Sequence, residues 1–148
     1  MKPELEAAIL NLLSNQNDMT IATVRPDGYP QATTVSYTSD GLKIYFGCDA
    51  ASQKARNLAG SNKVSLTIDA AYRNWDEIRG LSMGGNAEPV TSKDELARVQ
   101  GLMLAKFPQI AQYSEPPGTA LAVYRVTPKV ISVLDYSKGF GHTEQVTL

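Results

Sequence analysis

The stretch MTIATVRPDGYPQATTVSYTSDGLKIYFG, residues 19–47, has the clearest structural pattern in the chain. Its runs of β-branched and aromatic residues are separated by Pro-Asp-Gly and Ser-Asp-Gly, which are typical turn sequences. The pattern therefore predicts three strands joined by two hairpin turns. At the first turn, Asp27-Gly28 is a dipeptide that tight primed turns prefer, because glycine tolerates a positive φ angle.

The segments on either side of this stretch predict three helices. Apolar residues recur at helical spacing after Pro3, so residues 3–15 are expected to form a short amphipathic helix. A second short helix is expected over residues 53–59. A third is expected in SKDELARVQGLMLAKF, residues 92–107, which begins with the Ser-x-x-Glu spacing of a capping box.

Three later segments predict further strands: NKVSLTID, IRGLSMGGNAEPV and ALAVYRVTPKVISVLDYS. The last is expected to form one or two strands, interrupted at Pro128. The total is six or seven strands. Because they follow one another in hairpins rather than alternating with helices, the predicted fold is mainly β with inserted helices, an antiparallel sheet that closes into a barrel.

Composition limits the classes of function. The chain has 148 residues, expected to form one domain over residues 1–148, and its formal net charge is -1. This charge, without alternating basic and aromatic residues, argues against a nucleic-acid partner. One cysteine and one histidine exclude an internal disulfide and a structural zinc site. With no basic signal sequence and no apolar run of about 20 residues, we expect a cytoplasmic protein without a membrane partner.

The junction FGCDAASQKARNLAG, residues 46–60, has the features of an anion site. Ser52 is a good N-cap residue, and Gly60 is expected to end the helix in a left-handed conformation. The free N–H groups of the first turn and the side chain of Lys54 suit a phosphate. The alternative is that Ser52 only caps the helix and that Lys54 and Arg56 are solvated surface charges.

Residues 20–69, together with the later strand IRGLSMGGNAE, resemble the flavin-binding core of the pyridoxamine 5'-phosphate oxidase-like family. The matching features, in the same order, are the Asp-Gly-x-Pro hairpin, the strand ending in Tyr-Phe-Gly, the Ser-x-Lys helix start and the glycine-bearing strand. The resemblance implies a six- to seven-stranded split β-barrel that binds FMN at a homodimer interface, with each site built from both chains.

The resemblance also implies positions for the cofactor. The strand beside the isoalloxazine and ribityl chain comprises Gln31, Ala32, Thr33, Thr34, Val35 and Ser36. Phe46 and Gly47 line the same pocket, and the phosphate lies at Ser52, Gln53 and Lys54. Contacts from the partner chain are expected from Trp75, Arg79, Lys138 and His142. Dimer packing for the first two, and an exposed tail for His142, are the alternatives.

The chain departs from the oxidase at positions that bear on its reaction. Gln31, Ser36 and Gln53 are neutral where the oxidase carries basic residues that hold phosphate groups, so pyridoxamine phosphate oxidation is not expected. No residue stands out as an acid or base, and no catalytic residue or metal ligand is assigned. We expect an FMN-dependent oxidoreductase acting on a small molecule. A non-catalytic flavin carrier or redox sensor, and a haem- or deazaflavin-binding member of the same fold, are the alternatives.

Overall fold

The computed structural model describes residues 1–148 and contains three α-helices and eight β-strands. The helices are α1 (Pro3–Asn15), α2 (Gln53–Gly60) and α3 (Lys93–Lys106). The strands are β1 (Asp18–Val24), β2 (Pro30–Ser36), β3 (Thr38–Asp40), β4 (Lys43–Asp49), β5 (Lys63–Asp69), β6 (Arg79–Pro89), β7 (Leu121–Asp135) and β8 (Thr143–Thr147). Short 3-10 turns lie at Trp75–Glu77, Pro108–Gln112 and Tyr136–Lys138. None of the helices combines the length and apolar character needed to cross a membrane.

All strand pairs are antiparallel, and seven strands follow the order β2-β1-β5-β6-β7-β4-β3. The two edge strands, β2 and β3, are consecutive in the chain and only Tyr37 separates them. A sheet whose opposite edges are joined by one residue has to curl until those edges meet. This confirms the predicted antiparallel split barrel. β8, formed by the tail, pairs with β7 outside this path.

Tyr37 is fully buried where the two edges meet. Its hydroxyl donates a hydrogen bond of 2.7 Å to the carbonyl oxygen of Leu13 near the end of α1. The ammonium of Lys106 lies 3.7 Å from the centre of the tyrosine ring, a cation–π contact from the end of α3. Burial raises the pKa of Tyr37 and keeps the phenol neutral, so it remains a donor. Two helices thus meet the barrel at this one side chain.

The sequence prediction for residues 19–47 was wrong in two details. The run after Pro30 is not one strand, because its two halves belong to opposite edges of the sheet. The first turn is also wider than a tight primed turn, since the N–H of Arg25 donates to the carbonyl of Tyr29 and that of Gly28 to Arg25. Gly28 does adopt the expected positive φ, of 88°. Pro26 suits such a loop because its fixed φ starts a type I turn.

β7 continues through Pro128 as a single strand. It pairs with β6 along its length, while its other edge pairs with β4 up to Val126 and with β8 from Val130. Pro128 therefore lies in the gap between two ladders, where a strand proline is tolerated. The β6–β7 register shifts between Gly84 and Gly85, and a Cβ on Gly85 would lie 2.5 Å from the carbonyl oxygen of Thr127. This close approach requires glycine.

The main core fills the barrel and the face of α1 that covers it. The apolar stripe expected in the first helix is buried, as Leu5, Ile9, Leu12 and Leu13 all belong to a cluster of 20 core residues. Inward-facing residues of β1, β4, β5, β6 and β7 supply most of the rest. At the end of α2, the sequence prediction was wrong about Gly60. Gly60 is the last residue of the helix, and its φ is not positive. The extended Ser61 caps the helix instead.

α3 begins as predicted, with the side chain of Ser92 accepting a hydrogen bond from the N–H of Glu95. Glu95 also makes contacts outside its own helix. Its carboxylate accepts hydrogen bonds of 2.7 and 2.8 Å from Arg125 on β7 and one of 3.0 Å from the Tyr45 hydroxyl on β4. The Arg125 guanidinium holds the pKa of Glu95 below its usual value. This contact fastens α3 to the outer face of the sheet.

We expect Tyr37→Phe to lower the free energy of unfolding by about 1 to 2 kcal/mol, because the buried Leu13 carbonyl loses its donor. Urea unfolding followed by far-UV circular dichroism measures this change. Tyr29→Phe is the matched control, since Tyr29 is 71% exposed. Equal stability of the two variants would contradict a role for the Tyr37 hydroxyl in closing the barrel.

We expect the stabilising effect of Glu95 to depend on pH. Since its folded-state pKa is lowered, its contribution is complete above the unfolded value of about 4.3 and is lost as the pH falls through the folded pKa. Glu95→Gln should therefore cost about 1 kcal/mol at pH 7, a figure reduced for partial solvent screening, and much less at pH 3. Thermal unfolding at both pH values tests this, with Glu115→Gln as control because Glu115 is exposed and forms no ion pair. A difference that persists at pH 3 would be inconsistent with the ion pair as its source.

Candidate functional site

The N-terminus of α2 is open toward solvent after the last residues of β4. The Ser52 hydroxyl accepts a hydrogen bond of 3.2 Å from the N–H of Ala55, which confirms the predicted cap. The N–H groups of Gln53 and Lys54 have no acceptor within the chain. Helix N-termini with free N–H groups attract anions.

Lys54 is half-buried beside this helix start and takes part in none of the ion pairs of the chain. Burial lowers the pKa of its ammonium, and the nearby Cys48 opposes that shift. A partly desolvated cation without an acidic partner gains from an anionic ligand, because a ligand anion restores the interaction that water supplied. Two of the three predicted phosphate contacts, Lys54 and the backbone at Gln53, thus belong to the same first turn of α2.

Asn57 is a site residue that the sequence analysis missed. It is 1% exposed, and its amide nitrogen donates hydrogen bonds of 3.0 Å to the Thr23 hydroxyl on β1 and to the side-chain oxygen of Gln31 on β2. Its amide oxygen accepts a hydrogen bond of 2.8 Å from Gln53. Asn57 therefore links the start of β2 to the first turn of α2. Its spacing of four residues from Gln53 is the only signal in the sequence, and it does not distinguish a buried asparagine from a surface one.

Arg56 extends this network at the surface. Its guanidinium donates hydrogen bonds of 2.7 Å to the Ala51 carbonyl and 2.8 Å to the Gln53 side-chain oxygen. Both contacts hold the turn before α2 in place. Arg56 is therefore more than the freely solvated charge considered in the sequence analysis.

Residues 31–36, predicted to run beside the cofactor, alternate between the two faces of β2. Gln31, Thr33 and Val35 are half-buried, whereas Ala32, Thr34 and Ser36 are exposed. The Thr33 hydroxyl is enclosed without any hydrogen-bond partner, although buried polar atoms are normally paired. Ser36 donates to the Asp18 carboxylate at 3.0 Å. Half of the predicted strand thus lies on the side that faces α2 and the barrel.

Val35, Ser36, Phe46 and Gly47 line a groove of ≈ 860 Å³ between the β4–β7 strand pair and α3. The other walls come from α3, residues 110–115 and the start of β7. Phe46 is almost fully buried and stacks on Tyr124 with ring centres 5.4 Å apart. A Cβ on Gly47 would lie 3.1 Å from a methyl carbon of the exposed Leu121 side chain. Gly47 therefore leaves room for that side chain or for a ligand replacing it.

Trp75, Arg79, Lys138 and His142 lie together at the other end of β7, and none of them lines the groove. The Trp75 ring is 5.7 Å from that of Phe140, and Arg79 pairs with Asp135 at 3.4 Å. Glu144 accepts contacts from His142 at 3.1 Å and Lys138 at 3.7 Å, and the hydrogen bond from His142 lowers the pKa of Glu144. Within one chain these four predicted contacts do not reach the groove. No cluster of His, Cys, Asp and Glu side chains suitable for a metal ion is present.

Comparison with known proteins gives a family match. A family model described as pyridoxamine 5'-phosphate oxidase matches residues 5–135. A pyridoxine/pyridoxamine 5'-phosphate oxidase from Bradyrhizobium diazoefficiens is 33% identical over 94 residues, which make up 61% of this chain and 41% of that protein. The chain therefore spans about two fifths of the length of this relative.

Solved structures share the fold. A haem-binding protein from Mycobacterium smegmatis has a TM-score of 0.81 at 21% identity, covering 99% of this chain and 59% of the other. A conserved hypothetical protein from Mycobacterium tuberculosis has a TM-score of 0.77 at 26% identity, with 97% and 92% covered. A haem storage protein from Vibrio cholerae has a TM-score of 0.70 at 18% identity, with 97% and 94% covered.

We expect Asn57→Ala to lower the free energy of unfolding by about 2 to 3 kcal/mol, because Thr23, Gln31 and Gln53 each lose a buried partner. Urea unfolding measures the change. Asn74→Ala is the matched control, since Asn74 is exposed and its side chain forms no hydrogen bond. A change as small as that of the control would show that the network is not needed to hold α2 against β1 and β2.

Proposed function

The chain belongs to the pyridoxamine 5'-phosphate oxidase family, and from this we propose that it binds FMN and acts as an oxidoreductase on a small molecule. The observation that carries the proposal is that half-buried Lys54, whose ammonium forms no ion pair, shares the first turn of α2 with the free N–H groups of Gln53 and Lys54. Together these groups suit a phosphate, which supports the proposal. The orphaned Thr33 hydroxyl, on the strand predicted to follow the cofactor, adds a polar atom without a partner.

In this proposal Ser52, Gln53 and Lys54 hold the phosphate of FMN, and residues 31–36 with Phe46 and Gly47 hold the rest of the cofactor. Bound FMN would supply hydride or single-electron transfer. The protein's own part is position and electrostatics. Asn57 acts as a positioning residue, because it fixes the side chains of Gln31 and Gln53. Catalytic residues are not assigned.

Pyridoxamine phosphate is not the proposed substrate. Gln31, Ser36 and Gln53 are neutral, and each forms hydrogen bonds within the chain. Gln31 bonds to Asn57 and Ser36 to Asp18. Gln53 bonds to both Asn57 and Arg56. Lys54 is then the one unpaired cation among the predicted cofactor contacts. One such cation suits one phosphate, that of the cofactor, and leaves a second phosphate without a partner.

We further propose that residues 1–148 form a single FMN-binding domain that works as a homodimer. Trp75, Arg79, Lys138 and His142 cluster away from the groove, so they contact the cofactor only if they come from a second chain. The cluster also exposes aromatic surface, because Trp75 is 66% and the neighbouring Phe140 is 79% exposed. Such a surface suits burial in an interface. The free thiol of Cys48 suits the expected cytoplasmic location.

Haem is the second candidate cofactor, because proteins of the same fold from M. smegmatis and V. cholerae are named for it. His142 is the only histidine available as an axial ligand, and its Nε2 atom lies 3.1 Å from the Glu144 carboxylate. Haem binding there would compete with that contact. A deazaflavin, or FMN held without turnover, would use the same site as FMN.

The first test is the visible absorption spectrum of the purified protein before and after titration with FMN. A flavin band that stays with the protein through gel filtration supports the proposal, and a Soret band instead of it supports haem. NADH or NADPH added to the loaded protein then separates an oxidoreductase from a carrier, because only the former is expected to lose the flavin band through reduction. A colourless protein that binds no FMN would exclude the proposal.

The phosphate site is tested by Lys54→Met. We expect the dissociation constant for FMN to rise by roughly tenfold to a hundredfold, corresponding to a lost charge-assisted contact of about 1.5 to 3 kcal/mol. Riboflavin lacks the phosphate, so its affinity should change little. The exposed Lys63 gives the control Lys63→Met, which should leave both affinities unchanged. If riboflavin and FMN weaken equally, Lys54 does not act on the phosphate.

A further inference from the structure

We propose that the groove between α3 and the β4–β7 strand pair binds the substrate, and that this substrate is an apolar small molecule without an anionic group. The inference rests on the proposed function in so far as the groove begins at Val35, Ser36, Phe46 and Gly47, the predicted cofactor contacts. That the groove is a ligand site does not depend on FMN binding, because it is argued from the shape, the apolar lining and the charge of the groove.

Shape and lining are those of a small-molecule site. The volume of ≈ 860 Å³ lies within the range of about 300 to 1,000 Å³ that such sites occupy, and 10 of the 15 lining residues are hydrophobic. Several of these side chains are left in water: Leu121 is 59%, Tyr113 78% and Leu104 39% exposed. An apolar ligand would remove these surfaces from solvent, which is favourable.

The charge of the groove disfavours anions. No Lys, Arg or His side chain lines it, and Glu115 is its single charged residue. Glu115 forms no ion pair within the chain. A phosphate or carboxylate on the ligand would therefore find no cation and would face this carboxylate, whereas an amine would be attracted to it.

The cations on the neighbouring elements are directed elsewhere. Arg125 is held by Glu95 and Glu88, and Arg98 pairs with Asp40 at 2.6 Å. Lys106 lies over the Tyr37 ring, with its nitrogen enclosed. These three cations cannot turn into the groove without breaking those contacts, and the other cations of α3 and β7, Lys93 and Lys129, do not line it.

The groove also offers a polar group for orientation. The Gln100 side chain lines it and forms no hydrogen bond within the chain, so its amide can donate to or accept from a neutral polar group. The substrate class is thus a molecule with a mainly apolar body and a neutral or cationic polar end. This class differs from a phosphorylated ligand, which is bound mainly through its phosphate group.

The test uses three probes that share a naphthalene ring and differ in charge: 2-naphthylmethylamine, 2-naphthalenemethanol and 2-naphthoate. Binding to the FMN-loaded protein is measured by ligand-observed NMR titration. We expect the amine and the alcohol to bind, with the carboxylate at least about fivefold weaker than the amine. Glu115→Lys should reverse the order of amine and carboxylate. Glu6→Lys, the same charge change at an exposed position on α1, should leave it unaltered.

The result is separable from that for the cofactor, because the titrations are repeated on FMN-free protein and FMN affinity is measured independently. Probes that bind in the expected charge order to a protein without FMN affinity would support the groove and overturn the proposed function. Tight FMN binding with no probe binding, or with the carboxylate binding best, would overturn the groove proposal. So would sedimentation showing that Glu115→Lys disrupts a dimer, since a second copy would then cover this surface.

Discussion

The hydroxyl of Tyr37 donates to the carbonyl of Leu13 at the one point where the two edges of the sheet are joined by a single residue. Because β2 and β3 are separated only by Tyr37, the seven strands between and including them cannot form an open, flat sheet. The curled sheet creates an interior, α1 covers it, and the end of α3 is held over the same tyrosine ring by Lys106. Closure of the barrel, the end of α1 and the end of α3 thus meet at one buried side chain.

The same closure places the candidate site. β4 lies next to the edge strand β3, and its end leads directly into α2, so the N-terminus of α2 and the face of β2 come together. Asn57 makes this approach specific through its bonds to both β1 and β2. The result is a site of two electrostatic characters. Its α2 end has an unpaired cation and free N–H groups, whereas the groove along α3 has no cation at all.

β7 connects the candidate groove with the aromatic cluster at the other end of the molecule. On the edge that does not pair with β6, the first half of β7 pairs with β4 beside the groove. The second half pairs with β8 beside the cluster of Trp75, Phe140 and His142. The bulge opposite Gly85 lies between the two halves. Because a strand of 15 residues separates its ends widely, the two regions cannot meet within one chain. This separation is the physical reason for proposing that a second chain completes the site.

The sequence by itself determined the local elements, because their signals lie within a few residues of one another. The stripe of α1, the caps at Ser52 and Ser92, the antiparallel order of strands and the positive φ of Gly28 were all predicted from such short patterns. Only the tertiary structure decided that residues 30–40 belong to two edges of the sheet and that β7 passes through Pro128. It also decided that Glu95 binds Arg125 and that Asn57 is buried. The last two outcomes depend on distant partners, Gln31 for Asn57 and Arg125 for Glu95, and no local pattern encodes which distant strand a side chain will face.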